Sequence, residues 1–459
     1  MRNKTFLLFI IIISAIHATG IAQQDKIADS LLNVLKTQKE DTNRVNTLNL
    51  LGRRFGERRN HDLSNKYVKD AISLAEKLNF KPGLIKAYST LGINNYHLAK
   101  YNEAIEYFRI MMKLGEETGN KSAIATGHYS IGNVYRVQEN HTEALKYYLT
   151  GAKLFEESGD RRTQAITLQN IGYTYMNLSN FREAIKAHMN SIRLNKEFGD
   201  KRLMANSHLG IGNSYFALGN HPEAIKNYLA SLKISEEIGD KFSVGAAYGH
   251  MGTLYSQLGN YPEAKMNYQA SLKLFKEINN KRAFAASLNN IAEIYQREGN
   301  YSEAMENLLA ALKINEEIKF KSGSALSYRG IGRIYFRQNN YDDAIKNYQA
   351  SLKLLKEIES KVGIADLCND IGLAYFYLNE FPEARRHYNE ALSIAREVQE
   401  KALIQGCYQN LAILDSASGN WEGAFINHKL FLLYRDSVVN KENSNKITEM
   451  RMQFEFDKK

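Results

Sequence analysis

A unit of forty residues recurs along most of this chain without insertion or deletion. It holds Gly52, Gly92, Gly132, Gly172, Gly212, Gly252, Gly332 and Gly372 in one register, with Ala292 and Ala412 in two further slots. A period this strict does not describe one globular core; it describes a stack of like units, each burying a face against the next. A second small residue follows twelve positions later at Ala104, Ala144, Ala184, Ala224, Ala264, Ala304, Ala344, Ala384 and Ala424. Two small positions per unit predict two helices that cross closely there, because larger side chains would hold the backbones apart.

Aromatic residues keep the same register. Phe55, Tyr135, Tyr175, Tyr215, Tyr255, Tyr295, Tyr335 and Tyr375 lie three residues after the glycine slot, and Phe108, Tyr148, Tyr228, Tyr268, Tyr348 and Tyr388 lie four after the alanine. Spacings of three and four are helical and no strand alternation competes with them. The rings are expected one turn from the small pair, filling the wider gap on either side of the crossing. Pairs such as Glu139-Asn140, Ser179-Asn180, Gly219-Asn220 and Gly259-Asn260 mark a turn where Gly and Asn can adopt the left-handed conformation. Pro222, Pro262 and Pro382 then stand in the first turn of the second helix and Pro82 in that of a first helix, where no helical hydrogen bond is lost. Gly119, Gly159, Gly199 and Gly239, each followed by Asn or Asp, close the unit with a stop and a cap.

Units such as IGNSYFALGNHPEAIKNYLASLKISEEIGDK, from Ile211 to Lys241, resemble the tetratricopeptide repeat (TPR), and the likeness runs from Val45 to about Asp436. The forty-residue length resembles the longer-helix subtype of the Leu-Gly-Asn repeat proteins. What the resemblance implies is an all-α fold: a right-handed α-solenoid of about ten helix pairs, with an N-terminal capping helix over residues 23–44 and a C-terminal capping or connector helix over 437–459. Asn95 and Asp415 stand where the first-helix aromatic is expected and Ser64 where the second-helix alanine is expected, all in outer repeats, where capping units depart from the consensus.

Residues 1–22 read as a signal peptide rather than structure. Arg2 and Lys4 precede an apolar run from Phe6 to Ile16, and Gly20-Ile21-Ala22 offers small residues at a cleavage site before Gln23. The run is short for a membrane span of about twenty residues. A periplasmic or secreted protein is therefore expected. The net charge of +10, mild and interspersed, favours an acidic partner surface weakly and gives no basic stripe for nucleic acid.

No catalytic constellation is visible: there is no HExxH, Walker loop, nucleophile elbow or kinase signature, and Gly210-Ile-Gly212 lacks the third glycine of a nucleotide loop. A non-enzymatic protein without cofactor is expected. Most of the eleven histidines occupy repeat positions, with His141 and His221 opening second helices and His188 and His428 replacing the second-helix ring. Cys368 and Cys407 fall at near-equivalent places in neighbouring repeats; they read either as two small buried apolar residues or as a pair able to approach, and their separation is no metal-finger spacing.

In the family the resemblance points to, ligands lie along the first helices. There this chain carries amides at Asn133, Gln169, Asn170, Asn213, Asn289, Asn290, Asn369 and Asn410. An amide presents donor and acceptor together, so such a row can hydrogen-bond an extended backbone, or it can cap helices and bridge repeats instead. Arg329, Arg333 and Arg337 follow at four-residue spacing, with Arg297 equivalent to Arg337 one repeat earlier. Together they form either a carboxylate or phosphate site, or a face neutralised by Glu293 and Asp370. The carboxylate clamp of TPR cochaperones does not transfer, because Tyr129, Asn206 and Gly210 stand where cations are needed.

Two functions follow. The first is an exported, non-catalytic scaffold that binds a protein or extended peptide, an acidic one included, in its groove. The second is the sensing portion of a signal-transduction receptor of histidine kinase or nucleotide cyclase type. That reading rests on the likeness of LLYRDSVVNKENSNKITEMRMQFEFDKK to the connector of exported TPR sensors. It expects membrane and output modules that are missing or separately encoded, and a membrane-bound partner or a homodimer through the C-terminal helix.

Overall fold

A computed structural model describes residues 26–436, so the signal segment expected at 1–22 and the helix expected at 437–459 both lie outside the described residues. Every regular element among the described residues is a helix, and none is long and apolar enough to cross a membrane. After a leading helix, Lys26–Thr37, the described residues form ten antiparallel helix pairs, from Thr42–Glu57 with His61–Lys77 to Lys401–Ala417 with the helical residues 421–436. They fall into two compact units that divide after Leu194. Within each, a first helix packs against its own second helix, and that second helix packs on the next repeat's first, the arrangement of a TPR solenoid. The first repeat begins at Thr42, three residues earlier than the pattern suggests, because Asp41 caps it by accepting from Asn43 N and Arg44 N. Arg44 Nη1 then donates to the Leu35 and Gln38 carbonyls, both at 2.8 Å, tying down the end of the leading helix.

Every twentieth residue from Arg59 to Gly419 has positive φ, eleven of them non-glycine and eight glycine. The turn is thus set by position, and glycine only makes it cheaper. In the Glu139-Asn140 type of pair it is the first residue that turns left-handed. The asparagine instead caps the second helix: Asn140 Oδ1 accepts from Glu143 N and Asn220 Oδ1 from Glu223 N, each at 3.2 Å. The amide there serves the N-cap, where an oxygen is needed two or three residues before an orphan N–H. At the far end of most pairs an exposed lysine meets a glutamate, as in Lys121–Glu157 at 2.9 Å, Lys241–Glu277 at 3.2 Å and Lys321–Glu357 at 3.1 Å. Pairs this exposed are screened by solvent and add little to stability.

The crossing point is tighter than the sequence reading has it. The second-helix ring lies directly on the glycine rather than beside it. A Cβ added to Gly212 would stand 2.5 Å from Tyr228 Cδ1 and Cε1, and one added to Gly132 or Gly372 would come within 2.7 Å of Tyr148 or 2.6 Å of Tyr388. The carbonyls of Ala224, Ala344 and Ala384 close in behind Gly212, Gly332 and Gly372 at 3.2–3.3 Å, which confirms the small-residue crossing. Where alanine replaces glycine, at Ala292, the residue in the ring's place is Leu308, and both side chains are buried in one cluster. The extra methyl is matched by a smaller neighbour.

The outer departures are also compensated. Ser64 Oγ donates to the Gly52 carbonyl at 2.5 Å and accepts from Asn94 Nδ2 at 2.7 Å. Asp415, 1% exposed, accepts from Arg385 Nη2 at 2.6 Å, Asn420 Nδ2 at 2.9 Å and Asn427 Nδ2 at 2.7 Å. A buried carboxylate is tolerated in the aromatic slot because its oxygens are satisfied.

Candidate functional site

The first helices present the groove amides, and the structure divides them. Asn133 and Asn213 accept from the hydroxyls of Tyr148 and Tyr228, at 2.7 and 2.8 Å, so one face of each amide serves its own repeat. Others bridge successive first helices: Asn170 Nδ2 reaches Tyr129 Oη at 3.3 Å, Asn289 accepts from Ser327 Oγ at 2.9 Å, and Asn410 donates to Asn369 at 3.4 Å. Gln169 is buried. Asn290 stands half-buried, with no hydrogen-bond partner for its side chain among the described residues. The expected ladder is therefore largely engaged in joining repeats.

The four arginines separate in the same way. Arg329 turns inward on the helix Lys321–Arg337 and pairs with Asp370 Oδ2 at 2.6 Å and Asp366 Oδ2 at 3.5 Å, both on the next first helix. Burial opposes its charge, but Asp370 and then Asp366 outweigh this and hold the guanidinium above its ordinary pKa. Arg333 shares Asp370 at a looser 3.8 Å, and Arg297 is bound to Glu293 on its own helix at 2.8 Å. Arg337 is exposed and has no acidic partner among the described residues.

Arg297, Arg333 and Arg337 nevertheless meet at one cleft of about 870 Å³ between the helices Lys281–Arg297, Lys321–Arg337 and Lys361–Tyr377. Glu293, Glu298 and Asp370 balance the three cations there, and Tyr261, Tyr301, Phe336, Tyr348 and Tyr377 supply the walls. Tyr377 stacks on Tyr341 at 5.4 Å and meets Phe336 edge-on at 5.5 Å, yet keeps 52% of its surface exposed. Aromatic walls with a few charged groups of both signs are the composition of a site that grips side chains and fixes their direction by ion pairs. The arginine spacing pointed to this place. The aromatic half went unseen because Phe336 and Tyr377 fall outside the recurring ring positions.

A second cleft, of about 690 Å³, lies in the first unit and is lined by Asn46, Asn49, Leu50, Ile93, His97 and Met111 among others. Leu50 and Ile93 remain 52% and 45% exposed. Sequence reading passed over it because these residues carry no charge pattern; two exposed apolar residues forty-three apart become neighbours only once the repeats stack. Cys368 and Cys407 are buried free thiols, and it is Asn369, not Cys368, that contacts Cys407 Sγ, at 3.4 Å.

The solved structures most informative for the fold are distant in sequence. The apo form of the quorum sensor NprR from B. thuringiensis superposes with a TM-score of 0.56 at 16% identity, over 80% of this chain and 97% of that one. A Rap protein complexed with competence and sporulation factor gives 0.54 at 16%, over 78% and 99%. A signal transduction ATPase with numerous domains from Pyrococcus horikoshii, which carries a TPR sensor, gives 0.51 at 16%; it is covered over only 54% of its length, so this chain spans about half of that protein. No curated protein matches in sequence. Models of the tetratricopeptide repeat match residues 123–197, 203–277 and 283–357, and a further one matches 365–398, together more than half of the chain. The chain belongs to the tetratricopeptide repeat family.

Proposed function

We propose that this protein is an exported, non-catalytic scaffold that holds a protein or extended peptide against its first helices, with the aromatic cleft around Arg297, Arg333 and Arg337 as the anchoring point. The observation that carries the reading is the cleft itself: an exposed ring, Tyr377, among partly buried ones, beside an arginine, Arg337, left without an acidic partner among the described residues. An exposed guanidinium next to Tyr377 and Phe336 suits a ligand that brings a carboxylate and an apolar side chain together. Export is supported by the composition of residues 1–22, and absence of catalysis by the lack of any recognised catalytic motif.

The test is capture from an envelope or secreted fraction with immobilised protein, comparing wild type with R333Q/R337Q. Loss of the captured species, with wild-type binding that weakens as salt rises, is the expected result. An unchanged capture pattern from a folded variant removes the cleft from consideration. Recovery of the native protein in the cytoplasmic fraction at unprocessed mass refutes export.

A sensing role is the second reading, favoured by the fold likeness to a quorum sensor and to the TPR sensor of a signal transduction ATPase. It requires the protein to be recovered with membranes or as a dimer in a manner that depends on residues 437–459. A protein that stays monomeric and free of membranes with and without that segment refutes it.

A further inference from the structure

The ninth helix pair, Lys361–Tyr377 with Phe381–Glu397, holds a cluster that the repeat does not call for. In four preceding repeats the second helix carries Asn227, Asn267, Asn307 and Asn347 where this pair has His387, and Ala230, Ala270, Ala310 and Ala350 where it has Glu390. The first-helix position held by Cys368 is Tyr248, Leu288 and Tyr328 in the three repeats before it. All three departures fall in one unit and converge in space: the thiol sulfur, an imidazole nitrogen and a carboxylate oxygen lie within 4.8 Å of one another. Cys368 is fully buried and His387 is 5% exposed. His387 Nδ1 is buried with no hydrogen-bond partner among the described residues and stands 4.0 Å from Glu390 Oε2. The Glu390 side chain is 31% exposed, which leaves a way in from solvent.

We propose that Cys368, His387 and Glu390 form a site for a divalent transition-metal ion of the zinc class, clamping the two helices of this pair together. Sulfur, imidazole nitrogen and carboxylate oxygen are the donors such an ion selects, and three of them leave one position open to water. His387 and Glu390 sit one turn apart on one helix and Cys368 faces them from the other, so a bound ion cross-links the pair. Tetrahedral bonds of about 2.0–2.3 Å place ligand atoms roughly 3.5 Å apart, so the cluster draws in by about 1 Å on binding. Binding exchanges the thiol proton for the ion and releases it to solvent; thiolate and carboxylate then balance the two positive charges. The imidazole moves its proton to Nε2, which now faces Arg386 Nη2 at 2.9 Å. Arg386 swings away and keeps its pair with Glu383, at 2.7 Å. Lys356, 3.4 Å from Glu390 Oε1, likewise gives way to the ion.

The test uses the full chain, stripped with chelator under reducing conditions and titrated with Co²⁺ and then Zn²⁺. The expected result is one cobalt per chain with a thiolate-to-cobalt charge-transfer band. The band should be lost in C368S, kept in C407S and displaced by Zn²⁺. Because C368S alters a buried position, E390Q provides a second arm at a partly exposed one: its zinc affinity, from competition with a chromophoric chelator, should fall about tenfold or more. Absence of the band, its survival in C368S, its loss in C407S, or unchanged zinc affinity in E390Q overturns the proposal.

Discussion

Replacing Gly212 by alanine tests the crossing point with the smallest possible perturbation. The new Cβ meets two atoms of the Tyr228 ring at 2.5 Å, with the Ala224 carbonyl 3.3 Å away on the other side. Ordinary carbon contacts lie near ~3.5–4.0 Å, so ring or backbone must give by about 1 Å. Tyr228 is 1% exposed and its hydroxyl is held by Asn213, so the ring has nowhere to go. Overpacking of this kind costs about 1–3 kcal/mol, while alanine recovers roughly 1 kcal/mol of helix propensity. The net loss is about 0–2 kcal/mol, and leucine at the same place should cost about 3 or more. The companion variant takes its design from the Ala292–Leu308 pair. Y228L alone opens a cavity and strands Asn213, at about 2–3 kcal/mol. In G212A/Y228L the methyl fills part of that cavity, so the double variant should cost about 2 kcal/mol where additivity demands roughly 3.5. Urea unfolding followed by far-UV circular dichroism measures all four corners of the cycle. A coupling energy near zero would refute the argument that side-chain volume is matched across the helix pair.

Three further outcomes are expected. His188, fully buried against Gly172 with neither ring nitrogen bonded among the described residues, is pushed by burial down to about 4 from 6.5. The unfolded chain therefore takes up a proton that the folded one refuses. Stability is fully present above about pH 6.5 and falls by about 3 kcal/mol by pH 4, a slope that H188F should remove from urea midpoints read against pH. Ala99 and Lys319 hold φ of 57° and 55°, so A99G and K319G should each raise the unfolding free energy by about 0.5–1 kcal/mol, read as a higher urea midpoint; a lowered midpoint in both would contradict the reading of these turns as strained. D415A strands Arg385, Asn420 and Asn427 and should cost about 3 kcal/mol; a cost below about 1 kcal/mol in thermal or urea unfolding would show the network to be slack.

The repeat, its two turns and its small-residue crossing were legible because each is written into the chain every forty residues. What the sequence left open lies between repeats. Arg329 could be read from its spacing to Arg333 and Arg337 as a ligand-binding cation or as one neutralised by Asp370, and the pairing that decides between them spans forty-one residues. Asn170 with Tyr129, and Asn410 with Asn369, repeat that separation. Contacts between successive first helices therefore have a fixed offset, close to one repeat, that helical periodicity within a segment does not reveal. Asn133 and Asn213 stayed open for a different reason: a tyrosine hydroxyl fifteen residues away, across the turn, reaches the same amide that a ligand would. The cluster at Cys368, His387 and Glu390 has no tell-tale spacing at all, and comes to light only when one repeat is laid over the next.

The left-handed residue that returns every twentieth position, whatever its side chain, has a genetic consequence. Because every unit has the same length and the same turns, an exchange between two repeats out of step by one removes or adds forty residues. It rejoins a helix to the matching helix at whatever point the break occurs. Caps, crossing pair and closing lysine–glutamate contact come back in register, so the reading frame of the fold survives where a frame of any other length would not. Such a chain can lengthen, shorten or reshuffle its first-helix faces in whole steps, and novelty in the surface it presents need not wait for new ways to fold.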